Sequence, residues 1–118
     1  MNITKADLVI LNNSTFQASI EFKEDSIPID LTGYTFHMQC RPGVQSSVVY
    51  FELSSATGGG ITIDPTHGII NINISASETE TFKWLDGVYD IVAIKPDGTR
   101  LRAMEGSVFI DFGSTLIS

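Results

Sequence analysis

His37, His67, Cys40 and fourteen carboxylates are the side chains of this 118-residue chain that could carry out chemistry. Metal binding by histidine or thiolate needs ligands at short, repeated spacings. No H-x-H, H-x-x-x-H or C-x-x-C occurs, so a zinc site has no sequence support. His37 lies between Phe36 and Met38 on the outward parity of a strand, and His67 lies in the turn "DPTHG". Cys40 sits on an apolar parity with no basic neighbour on its own face, and reads as a buried, inert thiol rather than a nucleophile. A glycosidase needs two carboxyl groups facing each other at about 5–10 Å. Asp90, inside the apolar run "VYDIV", is the carboxylate that most needs an explanation, because a charge there must be solvated or paired. The expectation is a surface position, or a cross-hairpin ion pair with Arg100 or Arg102. The serines form no G-x-S-x-G elbow. "TGGGIT" lacks the lysine and the following helix of a phosphate-binding loop, and "IDPTHG" has too few acidic ligands for a calcium cage. Trp84 could be a binding aromatic but reads first as a core anchor. The reading is therefore no enzyme, no cofactor and no metal.

The elements that would position these residues have a period of two. In "TFQASIEFK", Phe16, Ala18, Ile20 and Phe22 share one parity and polar residues the other, the pattern of a half-buried antiparallel strand. "YTFHMQC" repeats it with Tyr34, Phe36, Met38 and Cys40 inward, and "GIININ" with Ile70, Ile72 and Ile74 inward. "LVIL", "VVYFEL", "ITI", "VYDIVAI", "RLRAM" and "SVFIDF" read as further short strands, separated by turn signals such as "DLTG", "KPDG" and "MEG". In "KPDG", Pro96 pre-sets φ and Gly98 is free to take a positive one. Tyr89, Ile91 and Ala93 are expected toward the core opposite Leu101 and Ala103, followed by a last core strand with Val108, Ile110 and Phe112. One segment breaks the β pattern. Ser77 with Glu80 three residues on matches a capping box, and Gly87 fits a helix end, which predicts a short helix near 78–85 pinned by Phe82 and Leu85. The fold class predicted is all-β, an antiparallel β-sandwich of about 8–9 short strands with one short helix. The chain reads as one domain, 1–118, with loose termini at 1–6 and 113–118.

Composition narrows the partners. Seven basic against fourteen acidic side chains leave a net charge of -7. No Lys/Arg cluster offsets it, which argues against nucleic acid and against anionic membranes. Nothing approaches the roughly 20 apolar residues of a transmembrane helix, and the N-terminus has no signal-peptide pattern. A single cysteine excludes an intramolecular disulfide framework, and folding in a reducing cytoplasm is expected. "VYDIVAI" and "SVVYFEL" are apolar on both parities, so a second face must be covered, either by the helix or by a partner chain.

Taken in order, these features resemble small immunoglobulin-like β-sandwich domains of tailed-bacteriophage virion proteins. They are similar in particular to the N-terminal domain of the baseplate upper protein family and to related tail and fibre-attachment modules. The residues that carry the likeness are Asp30, Leu31, Thr32 and Gly33; Gly87, Tyr89, Asp90 and Ile91; Asp97 and Gly98; and Glu105, Gly106, Val108 and Ile110. It spans roughly residues 15 to 112. The resemblance implies a non-enzymatic virion structural protein that binds other virion proteins and itself as a symmetric oligomer. It implies no small-molecule substrate. With no fibre stalk after the last strand, a tail, baseplate or neck adaptor or decorating subunit is expected. The alternatives are a carbohydrate-binding β-sandwich and a host-directed phage inhibitor. Candidate contact residues, chosen for backbone freedom, are Gly58, Gly59 and Gly60 in "SSATGGG", which is mobile or pressed against something, and Asn2, Ile3 and Thr4 at the N-terminus.

Overall fold

A computed structural model of the chain describes residues 3–113. In chain order its elements are β1 (Thr4–Lys5), β2 (Leu8–Leu11), β3 (Phe16–Glu21), β4 (Lys23–Glu24), β5 (Ile27–Pro28), β6 (Thr35–Arg41), β7 (Phe51–Ser54), β8 (Ile61–Asp64), β9 (Ile69–Ile74), α1 (Ala76–Glu80), β10 (Asp86–Ile94) and β11 (Arg100–Asp111). The larger sheet runs β1-β11-β10-β6-β7, with β2 also on β11; the smaller is β3-β9-β8; β4 and β5 form a separate hairpin. The inward parities read from sequence meet between the sheets. Phe36, Met38, Cys40, Ile91, Ala93 and Val108 from the larger sheet are buried against Ile61, Ile70, Ile72 and Ile74 from the smaller. The all-β class is thus observed, with its core formed by period-two strands.

Several local expectations are corrected. The strands number eleven among the described residues, because three strands of two residues each (β1, β4, β5) carry no readable periodicity. "RLRAM" and "SVFIDF" are one continuous strand, and Glu105–Gly106 is no turn: both pair in register with β10, Asp90 opposite Glu105 and Tyr89 opposite Gly106. A bulge near Ala103 and Met104 buries both side chains and resets the alternation there. The sheet is not wholly antiparallel, since β1 and β2 run parallel to β11. They come from opposite ends of the chain, so no tight connection constrains their direction. Residues 4–6 are consequently not a loose terminus; Thr4 and Lys5 pair with Met104 and Glu105, and Ala6 N–H donates to Glu105 C=O at 3.0 Å. Of the C-terminal stretch expected to be loose, 114–118 lie outside the described residues. Phe112 is exposed rather than core.

The helix is shorter and earlier than expected. Ser75, still extended as the chain leaves β9, is the N-cap and accepts from Glu78 N–H; Ser77 is already helical. Ser75–Glu78 and Ser77–Glu80 have equal spacing, and the end of β9 selects the first. Thr79 is fully buried, its hydroxyl donating to Ser14 C=O at 2.8 Å and accepting from Ser14 N–H at 3.2 Å. That fixes α1 beside the β2–β3 corner. The chain then turns Phe82 and Trp84 inward while Leu85 points to solvent. Gly87 does not end a helix. It is buried in β10, where a Cβ would lie 2.8 Å from the Arg41 carbonyl and 3.1 Å from Cys40 Sγ.

Candidate interaction surface

The two sheets present very different outer faces. The smaller sheet shows Gln17, Ser19, Thr62, Asn71 and Asn73, a polar surface in which Ser19 Oγ donates to Asn71 Oδ1 at 2.5 Å. The larger sheet shows Val88, Val92 and Ile94 from β10, half-buried only by their neighbours. Helix α1, tied to Asn12 and Ser14, sits at the corner between the sheets and not over this face. Of the two covers the sequence allowed, the helix is therefore ruled out. An uncovered sheet face with apolar positions is where a binding surface forms.

A row of paired residues crosses this face: Glu52, Gln39, Asp90, Glu105 and Lys5, one from each of β7, β6, β10, β11 and β1. Gln39 Nε2 donates to Glu52 Oε2 at 3.0 Å, and Arg41 donates to Gln39 Oε1 at 2.6 Å and to the Ser46 carbonyl at 2.7 Å. Arg102 lies 3.7 Å from Asp90 and 4.0 Å from Glu105. This decides between the two arginines: Asp90 pairs with Arg102, while Arg100 stands opposite Ile94. Such exposed pairs are worth about 1 kcal/mol or less, so they shape the surface more than they stabilise it.

The edge of the face is built by the N-terminal segment, which the sequence left unexplained. Tyr89 points inward, and its hydroxyl donates to the Ala6 carbonyl at 2.5 Å. Asp7 Oδ1 accepts from Ser107 N–H at 3.0 Å. Between them the chain passes so close to β11 that a Cβ on Gly106 would come within 2.0 Å of Ala6 O. Burial, reinforced by the Asp7 carboxylate, pushes the Tyr89 hydroxyl up to about 12 from an ordinary 10.0. Because the folded value is the higher, this contribution to stability is complete below pH 10 and is lost as pH rises toward 12. Tyr89→Phe is expected to lower stability by about 1 kcal/mol at pH 7 and to flatten that alkaline decline. Urea unfolding at pH 7, 9 and 11 checks it; an unchanged alkaline slope would refute the assignment to Tyr89.

The motif turns are structural. Asp30 Oδ1 accepts from Thr32 N–H at 3.0 Å and Thr32 Oγ1 at 2.6 Å, which holds its carboxyl below the usual range; Leu31 is buried. Asp97 is held below the usual range by the Thr99 side chain and by Thr99 N–H, which donates to its Oδ1 at 2.8 Å, while Gly98 takes φ +89°. The two turns meet, since a Cβ on Gly33 would touch Pro96 at 2.8 Å. The glycine loop is pressed close rather than free: Gly59 N–H donates to Ala56 C=O at 2.8 Å, Ser54 N–H to Gly59 C=O at 2.8 Å, and Asn73 N–H to Gly60 C=O at 2.8 Å. Gly58, Gly59 and Gly60 carry the chain from the larger sheet to the smaller, and Gly59 lines a depression on the open face with His37, Gln39, Glu52, Asp90 and Val92. Ile3 is exposed and Thr4 lies in β1, beside that face's edge; Asn2 lies outside the described residues.

The potential chemical groups stay apart. His67 Nδ1 lies 3.0 Å from Asp64, and His37 and Cys40 occupy opposite faces of β6. Trp84 stacks on Tyr50 at a 4.4 Å ring-centroid distance within a cluster that includes Phe51 and Phe82. Cys40 is fully buried, and burial pushes its thiol up to about 12 from 9.0. Native Cys40 is expected to react with a thiol reagent at pH 8 about a thousandfold more slowly than the urea-unfolded chain, following the thiolate fraction. A colorimetric thiol assay with and without urea tests this; comparable rates would sink it.

Fold and surface together define an all-β two-sheet domain that presents one sheet face. No protein-family model matches the sequence, and no curated protein matches it. Among solved structures the chain is similar to the N-terminal domain of phage TP901-1 ORF48, with a TM-score of 0.53 and 10% identity, over 94% of this chain and 99% of that one. At that identity the likeness is one of fold, and it is to a phage domain, the kind of protein that the order of the motifs resembles.

Proposed function

We propose that the protein is a non-enzymatic structural component of a bacteriophage virion, a small tail, baseplate or neck subunit that works through protein–protein contacts. The observation that carries this reading is the shared fold with a phage domain along nearly the whole of both chains. The uncovered face of the larger sheet supports it, because a scaffold for assembly needs a presented surface and no catalytic constellation. In this reading copies of the protein are arranged around the virion by its symmetry, and the open sheet face is turned toward a neighbouring virion protein.

The test is mass spectrometry of sedimented, nuclease-treated particles from the producing culture. The expected result is this chain recovered with capsid and tail proteins in many copies. Its complete retention in the soluble fraction would reject the virion role.

A further inference from the structure

Strand β2 is "LVIL", four apolar residues on the edge of the larger sheet. It pairs only with β11, and among the described residues no strand lies on its other side. Exposed edges are normally guarded by a charge, a proline or a bulge within the strand; β2 has none of these. Its outward residues Val9 and Leu11 are 56% and 52% exposed, and Phe109, paired with Val9, is 43% exposed. An open backbone edge thus coincides with an exposed apolar cluster. Either alone would be unremarkable on a sheet protein; together they form a strand-addition site.

The surrounding charges indicate the occupant. Asp86 stands opposite Phe109, Asp111 opposite Leu11, and Asp7 precedes the strand. All three are exposed, and none forms an ion pair with a described residue. A second copy docked here would bring the same three carboxylates and the same net charge of -7 against this edge, and like charges across an interface are unfavourable. We infer that β2 accepts an extended segment of a different protein as an added strand, one whose outward-facing positions, every second residue, carry apolar side chains flanked by lysine or arginine. That face holds Val9, Leu11, Phe109, Asp86 and Asp111 together, so the apolar residues lie against Val9 and Leu11, the flanking cations reach toward Asp7 and Asp111, and Asp86 adds to the local negative field. This deepens the assembly reading by naming the partner's chemistry, but its test involves no virion, so either can fail without the other.

The probe is a capped heptapeptide with lysine at both ends, valine at its third and fifth positions and threonine elsewhere, so that lysines and valines share one face, titrated into the isotope-labelled full chain while backbone amide shifts are followed. Saturable shifts centred on Leu8–Leu11 and Phe109 are expected, weakening as salt is raised. The glutamate-for-lysine peptide and an alternately N-methylated peptide should each bind at least about tenfold more weakly, because one loses the charge match and the other the edge hydrogen bonds. Val9→Lys with Leu11→Lys should abolish the shifts. Asp86→Lys with Asp111→Lys, which leaves the apolar cluster intact, should turn the preference toward the glutamate peptide. The inference is overturned by an absence of shifts, by equal binding of either control peptide, by shifts centred elsewhere, or by dimerisation of the free protein through β2.

Discussion

Gly106→Val is expected to destabilise the protein by about 3 kcal/mol and to detach its first strand. The position has no room: a Cβ there would lie 2.0 Å from the Ala6 carbonyl oxygen and 2.7 Å from its carbon. Both are backbone atoms, which cannot swing aside as a side chain can. Ala6 is also held from beneath by Tyr89 and flanked by the Asp7–Ser107 bond, so relief requires the segment to leave β11. Overpacking of this kind costs about 1–3 kcal/mol, and here the hydrogen bonds of the N-terminal segment are lost as well. Gly43→Val is the control. Nothing lies within 4 Å of a Cβ at Gly43, and a change within about 0.5 kcal/mol is expected. Urea unfolding gives the stabilities, and amide exchange at Thr4–Ala6 reports the detachment. If Gly106→Val matched the parent in both, the close approach described here would be wrong. Detachment would also disturb β2, the adjoining edge, so the variant links the stability of the fold to its interaction surface.

Phe36→Ala is expected to cost about 4 kcal/mol, the range found for truncating a buried aromatic. Phe36 is fully buried in β6, with ring centroids 5.9 Å from Phe22 and 6.1 Å from Tyr34. Both neighbours precede β6 in the chain, and Phe22 lies beyond the smaller sheet's first strand, so the ring joins separate parts of the fold. Since small domains are stable by about 5–15 kcal/mol, the variant should sit close to its unfolding threshold. His37→Ala, one residue away on the open face, should change stability by no more than about 0.5 kcal/mol. The contrast is checked by urea midpoints of the two variants side by side. Similar losses at both positions would contradict the assignment of faces along β6.

The contrast between Phe36 and His37 was legible in the sequence, because side chains on a strand alternate and apolar ones at every second position can satisfy burial on only one side. The same rule placed Met38 and Cys40, Ile70, Ile72 and Ile74, and Tyr89, Ile91 and Ala93 inward, where they are found. The turns at Asp30–Gly33 and Asp97–Gly98 were equally legible, since their residues close hydrogen bonds within three or four positions. Local chemistry of that range is written in consecutive residues and needs no tertiary partner.

What the sequence left open depended on residues far apart in the chain. Glu105–Gly106 has the composition of a turn, and only the passage of Ala6, a hundred residues earlier, explains a glycine inside a continuous strand. Gly87 looked like a helix end because its true reason, the Arg41 carbonyl and Cys40 sulfur above it, is invisible locally. The cap read at Ser77 falls two residues late, because the extent of β9, which leaves Ser75 as the N-cap, is set by its pairing with β3 and β8. The apolar residues on both parities of β10 required a cover without saying what it was. The position of α1, set by Thr79 on Ser14, removes the helix from that role. Periodicity thus determined which residues form the core of this protein; long-range packing alone decided which sheet face and which edge remain open.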